Sequence, residues 1–236
     1  MNTSLILSGG TGSRLNSQIP KQYIRINEKM MITRSIEALL KCRLIDHIQI
    51  VAAKEWQEEI EKDALTFLPG IFTHAFTGFS SPGETRQLSI YNGLKDISLY
   101  CGDEDIVLVH DAARPLVSEK LIRDCLEGCK QHDGVMPALP MKDTLYMSED
   151  GRVISSLLQR EKIYAGQAPE AFRLGKYLKA TEALFPDRIY DIKGSSEPAI
   201  LYGMDVAIIE GDERNFKVTT KADLEKYKEI CLSEDL

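Results

Sequence analysis

Leu5-Ile6-Leu7-Ser8-Gly9-Gly10-Thr11-Gly12-Ser13-Arg14-Leu15 is an apolar run that breaks directly into three glycines. Leu5–Ser8 is short, apolar and bounded by turn residues, the pattern of a buried strand. The glycines free the backbone to approach a ligand closely, and the amides of such a loop can hold phosphate oxygens. Two common phosphate motifs do not fit. GxGxxG counted from Gly10 needs a glycine where Leu15 stands, and no Gly-Lys-Ser/Thr follows. A glycine loop alone is often a tight turn, so its neighbours must decide.

Outward from this run the chain alternates. Ile48–Ala52, Ile106–His110 and Val135–Leu139 read as further buried strands, and Thr33–Cys42, Glu55–Phe67, Thr85–Lys95 and Glu119–Lys130 as amphipathic helices. Met204–Glu210 and Phe216–Thr219 resume the strand pattern, and Ala222–Cys231 reads as a closing helix. Alternation of this kind predicts an α/β fold, a Rossmann-like and mostly parallel sheet flanked by helices. Ligands of such sheets sit beyond the carboxyl ends of the strands. The stretch 143–164 breaks the rhythm and holds a turn signal at Asp150-Gly151. It reads as a β-arm projecting from the sheet; docking onto a second subunit and an ordinary surface hairpin are the two open readings. Residues 1–236 are expected to be one domain carrying this arm.

Composition narrows the partners. The net charge of −7 argues against a nucleic-acid or membrane-surface binder, which usually carries a basic face. Small anionic substrates need only a local basic pocket. Cys42, Cys101, Cys125, Cys129 and Cys231 lack zinc-site spacing, and an odd number of thiols fits a reducing compartment. With no signal-like N-terminus and no run of about 20 apolar residues, a cytoplasmic location is expected.

Chemistry concentrates in two clusters. Arg14 lies in the glycine loop and Lys21 follows in Pro20-Lys21-Gln22, where Pro20 stiffens the approach. Cations near such a loop suit a polyphosphate, whose transfer depends on positioning and charge stabilisation. His110-Asp111-Ala112-Ala113-Arg114-Pro115 follows a strand, placing Asp111 on the same rim. A carboxylate there could hold magnesium, which favours oxygen ligands and substrate phosphates. His110 reads as a buried structural residue.

Ser8–Leu15, Pro20-Lys21-Gln22, His110–Pro115, Lys142-Asp143-Thr144 and Lys217-Val218-Thr219 together resemble the methylerythritol-phosphate cytidylyltransferases and their CDP-ribitol-forming relatives. The resemblance covers nearly the whole chain. It implies transfer of CMP from CTP, with Mg2+, to a small polyol phosphate. Arg14, Lys21 and Lys217 would be catalytic. Ser8, Gly9, Gly10, Gly12, Gly83, Arg86, Ser89 and Ala112 would hold the nucleotide. Asp111, Arg114, Thr144, Arg160 and Ser195 would hold the acceptor, with Asp111 also engaging the metal. Arg160, on the arm, would reach a partner's acceptor in a homodimer. The chain departs from the family at Ala168-Pro169-Glu170, where Thr-Pro-Gln is usual, and at Ser195-Ser196-Glu197, where Thr-Asp-Glu is usual. An anion is gained at 170 and one is lost at 196, which predicts a phosphate displaced from Glu170 and an acceptor other than methylerythritol phosphate.

Ribitol, glycerol and methylerythritol phosphates are the candidate acceptors, serving a cell-surface polymer or isoprenoid synthesis. Ala112-Ala113 favours the last of these. Two other classes compete: a hexose-1-phosphate nucleotidylyltransferase, which normally has Pro-Lys-Pro and lacks HDAARP, and a nucleotide-binding regulator without catalysis. Retention of Arg14, Lys21, Asp111 and Lys217 argues against the regulator.

Overall fold

The apolar run after Met1 forms a strand whose four middle residues are all buried. The computed structural model describes residues 1–10 and 19–234. Within them the sheet strands are β1 (Asn2–Leu7), β2 (His47–Val51), β3 (Phe76–Ser80), β4 (Ile106–Asp111), β5 (Gly134–Pro140), β6 (Tyr164–Gly166), β7 (Glu170–Arg173) and β8 (Val206–Glu210). Their spatial order is β6-β5-β7-β4-β1-β2-β3, with β8 also paired to β5. Strands β1 to β4 run parallel, and β8 runs parallel to β5. The short β7 is antiparallel to both β4 and β5, and β6 is antiparallel to β5. Mostly parallel pairing is therefore observed, as the alternation predicts.

Helices α1 (Met31–Lys41), α2 (Lys54–Phe67), α3 (Pro69–Ala75), α4 (Arg86–Ile97), α5 (Glu119–Gly128), α6 (Leu174–Glu182), α7 (Glu197–Leu201) and α8 (Lys221–Glu234) complete the chain. Successive strand residues point to opposite faces, and both faces are covered. Ile6, Ile48, Ile50 and Leu108 pack with Ile36 of α1, Ile60 of α2 and Ile122 of α5. Leu5, Val51, Val107 and Val109 pack with Leu94 of α4 and Tyr177 of α6. Each such side chain contributes about 1.5–3 kcal/mol on burial, which fixes the strand ends that build the site. Gly93 allows α4 its close crossing, because a Cβ there would lie 2.4 Å from Leu5 Cδ1. Gly93 and Leu94 are thus packing residues.

Two expectations need correction. Phe216–Thr219 is not a strand; Val218 N–H donates to Ala113 O at 2.9 Å, tying this loop to the chain after β4 rather than to a ladder. The strands β3, β6 and β7 were not anticipated, since each is five residues or fewer and lacks a clear apolar alternation. The stretch 143–164 does leave the sheet between β5 and β6, carrying a ribbon of Tyr146–Met147 against Ser156–Leu157. Its tip turns at Asp150, whose Oδ1 accepts from the amides of Arg152 and Val153 at 2.8 and 2.9 Å, with Gly151 at φ +71°. Tyr146, Val153, Ile154 and Leu157 are exposed along it.

His110 in β4 is fully buried, as expected of a structural residue. Its Nε2 lies 3.1 Å from Arg114 O and must carry the proton, because a carbonyl only accepts. Burial lowers its pKa to about 4. Below about pH 6.5 the unfolded chain binds a proton that the native ring refuses. Stability is therefore complete above that pH and falls towards pH 4, at up to about 1.4 kcal/mol per unit. Denaturant titrations across this window should show a shallower fall in His110→Gln than in the parent chain; identical slopes would refute the assignment.

Candidate active site

β1 and β4 lie side by side, so their carboxyl ends deliver the glycine loop and Asp111 to one rim. Between them opens a cavity of about 420 Å³, lined among others by Gly9, Gly10, Lys21, Gly83, Arg86, Ser89, Asp111, Ala113 and Lys217. Arg14 and Gly12 fall outside the described residues.

The described part of the loop is braced from below. Gln22 Nε2 donates to Ser8 O at 2.7 Å and to Gly10 O at 2.6 Å. Tyr23 Oη donates to Ser8 O at 2.8 Å and accepts from Ser8 Oγ at 2.9 Å. These contacts fix the Ser8 and Gly10 carbonyls on Gln22 and Tyr23. Ser8 itself is buried and spends its side chain on Tyr23, so it supports the loop rather than lining the cavity. Gln22 and Tyr23 received no role from the sequence; the adjacency of Gln22 to Pro20-Lys21 was the available signal.

Lys21 Nζ donates to Val218 O at 2.6 Å, which ties it to the loop that presents Lys217. Across the cavity, Gly83 is forced by packing: a Cβ there would meet Leu88 Cβ at 2.3 Å and the Leu88 backbone at 2.8 Å. Gly83 N–H donates to Ser89 Oγ at 3.0 Å, and Ser89 Oγ–H donates to Thr85 O at 3.0 Å. Both therefore shape the wall with groups already in use.

Asp111 is the centre of the site. Its Oδ1 lies 3.2 Å from Arg86 Nη2, and its Oδ2 lies 3.3 Å from Arg114 Nε and 3.0 Å from Lys217 Nζ. Burial alone would raise its pKa, but Arg86, Lys217 and Arg114 together hold it well below the carboxylate range. Arg114 Nη1 also donates to Asn215 O at 2.6 Å. One carboxylate thus sets the positions of three cations.

That geometry revises several expected roles. Asp111 is saturated by cations, and a dication on it would have to displace them. Among the described residues no group of three or more His, Cys, Asp and Glu could hold a metal ion. A magnesium ion held at Asp111 would have to draw its remaining ligands from substrate phosphates and water. Arg86, assigned to the nucleotide, lines the same cavity as Gly83 and Ser89, and its Nη1 also donates to Ser195 Oγ, which was assigned to the acceptor. Ala112 is buried in the core, and Ala113 lines the cavity instead. Thr144 and Arg160 are exposed on the arm, where Arg160 Nη1 donates to Lys142 O at 3.0 Å. Neither is among the cavity-lining residues.

Glu170 also differs from expectation. It is buried and accepts from Ser196 Oγ, so positions 170 and 196 touch. The anion gained at one is next to the anion lost at the other. The charge therefore stays in one buried pocket.

Comparisons with known proteins agree with this geometry. The model of the family IspD, 2-C-methyl-D-erythritol 4-phosphate cytidylyltransferase, matches residues 3–233. The chain is 28% identical over 235 residues to ribitol-5-phosphate cytidylyltransferase of Streptococcus agalactiae serotype V, covering 98% of this chain and 95% of the other. It is 32% identical over 233 residues to 2-C-methyl-D-erythritol 4-phosphate cytidylyltransferase of Thermotoga neapolitana, covering 98% and 97%. The crystal structure of the Francisella tularensis enzyme of the latter name superposes with a TM-score of 0.79 at 26% identity, over 96% of this chain and 97% of that one. The match of nearly every residue, with the glycine loop and Asp111 brought to one rim, places the chain in the IspD cytidylyltransferase family.

Proposed function

We propose that this site transfers CMP from CTP to the phosphate of a small polyol phosphate, releasing pyrophosphate. The observation that carries this reading is the cation cluster on Asp111, facing the glycine loop and Lys21 across one cavity. Relatives named for ribitol 5-phosphate and for methylerythritol phosphate both support a polyol phosphate acceptor.

The acceptor phosphate is already anionic, so no protein nucleophile is needed. One of its oxygens bonds to the α-phosphorus of CTP, the bridging α–β oxygen bond breaks, and its electrons leave with pyrophosphate. Negative charge on the attacked group and the leaving oxygen is stabilised by Lys21, Lys217 and Arg86, which line the same cavity. Fixed cations do this without reorganising during the reaction. Arg14, assigned through the resemblance, would add to the same charge. Magnesium, carried as the substrate's own counter-ion, would neutralise part of the triphosphate charge.

Further readings accompany this one. The exposed Tyr146, Val153, Ile154 and Leu157 support docking of the arm on a second copy, a homodimer in which Arg160 and Thr144 would serve the partner's acceptor. No helix among the described residues is long and apolar enough to cross a membrane, and together with five free cysteines this supports a cytoplasmic enzyme.

Pyrophosphate release should be measured with CTP, UTP, ATP and GTP against ribitol 5-phosphate, methylerythritol phosphate, glycerol 2-phosphate and glycerol 3-phosphate. CTP should exceed ATP by at least about tenfold, a difference of about 1.4 kcal/mol, with at least one acceptor turned over. Comparable turnover with ATP, or none with any acceptor, would overturn the proposal. Lys21→Ala should lower kcat by about 10²–10³ while changing CTP binding far less. A kcat within about threefold of the parent enzyme would remove Lys21 from the catalytic set.

A further inference from the structure

Residues 211–220, between β8 and α8, carry Lys217 and belong to no helix or strand. Such connections are ordinarily mobile, yet a cation that stabilises developing charge must be fixed before the reaction begins. Two buried amide side chains supply the bonds that a ladder would otherwise give. Gln167, 7% exposed, stands just before β7, and its N–H donates to Pro137 O of β5 at 2.7 Å. Its Oε1 accepts from Asp212 N–H and its Nε2 donates to Asp212 O, both at 2.9 Å. One side chain thereby pairs with both backbone groups of one residue. Asn215 is fully buried, and its Nδ2 donates to Ala168 O at 2.7 Å.

The loop is thus fastened to 167–168 ahead of Lys217, and again beyond it, where Val218 N–H donates to Ala113 O at 2.9 Å. Lys217 lies between these ties, with its Nζ 3.0 Å from Asp111 Oδ2. The same loop also fixes a second partner of Asp111. Arg114 Nη1 donates to Asn215 O at 2.6 Å, while its Nε lies 3.3 Å from Asp111 Oδ2. Lys217 lines the cavity, and Gln167 and Asn215 do not. Their effect on a ligand there passes through Lys217 and through the Arg114–Asp111 pair.

We propose that Gln167 and Asn215 are positioning residues, which hold the 211–218 loop so that Lys217 meets the reacting phosphates in one fixed place. Position 167 needs an amide because both a donor and an acceptor are in use, and a carboxylate or a thioether cannot supply the pair. The inference rests on the transferase reading above for the role of Lys217.

The test uses the full-length enzyme with whichever polyol phosphate supports turnover. Asn215→Ala removes the tie to Ala168, and Gln167→Met keeps the side-chain length while removing both bonds to Asp212. Each should lower kcat by about tenfold, a part of the roughly 10²–10³ that a lost charge stabiliser costs, and leave KM for CTP within about twofold. Combined with Lys217→Met, each should lose less than the product of the single losses, by about threefold or more, because both changes act on one group. Either variant carries the test if the other folds poorly. In the free enzyme, amine acylation read by mass spectrometry should label Lys217 about threefold faster or more in both variants. Lys29, held in a separate ion pair with Glu37 at 2.9 Å, should label at the parent rate. A parent enzyme that turns over no polyol phosphate would defeat the transferase reading, and the labelling would then judge the clamp by itself. With the parent active, unchanged kcat, multiplicative losses or unchanged Lys217 labelling would each defeat the role given to Gln167 and Asn215. Equal acceleration at Lys29 would defeat it too, since that marks general loosening.

Discussion

The contact on which this site depends is the buried carboxylate of Asp111 with three cations. Three positive side chains within reach of one another repel, and no polyphosphate site can keep them close without a counter-ion when empty. Asp111 supplies it, and each of the three comes from a different segment. Arg86 opens α4, Arg114 follows β4, and Lys217 lies in the loop before α8. Removing one partner from such a buried cluster typically costs about 3–5 kcal/mol, so the cluster organises the fold as well as the chemistry. Lys217 and Arg86, about a third exposed, line the cavity while held by Asp111.

The opposite wall follows another rule. There the backbone does the binding, and the side chains of Gln22 and Tyr23 hold that backbone open. Gly83 is small because α4 presses against it, not because a turn needs unusual dihedral angles. One wall is thus neutral and shaped by packing, while the other is charged and shaped by Asp111.

Much of the fold was legible in the chain. Apolar runs such as Leu5–Ser8 and Ile106–His110 are short, polar-bounded and separated by amphipathic helices, and buried parallel strands leave that trace. Phe216–Thr219 misled because Val218 is buried as a strand residue would be, yet among the described residues its backbone meets only Ala113 O and Lys21 Nζ rather than a ladder. The rim residues Lys21 and Asp111 were legible because their motifs follow a glycine loop and a strand, whereas Lys217 was reached only through the family resemblance. What could not be read were the partners. Arg86 and Ser195 stand 109 positions apart, and no local pattern announces that they touch. The same holds for Glu170 and Ser196, whose two departures from the family pattern look independent in sequence and are one contact in space. The arm was visible from its Asp150-Gly151 turn, but not that Thr144 would stand clear of its own chain's cavity.

The most direct measurement compares Asp111→Asn with the parent enzyme for both pyrophosphate binding by calorimetry and kcat, with thermal stability recorded alongside. If Asp111 is the internal counter-ion, its removal leaves three cations seeking an anion. Pyrophosphate should then bind several-fold more tightly and raise Tm more than in the parent, while kcat falls by about 10² or more because the cations are no longer aimed. Pyrophosphate binding no tighter than in the parent, together with kcat within about threefold of it, would show that Asp111 does not organise this site.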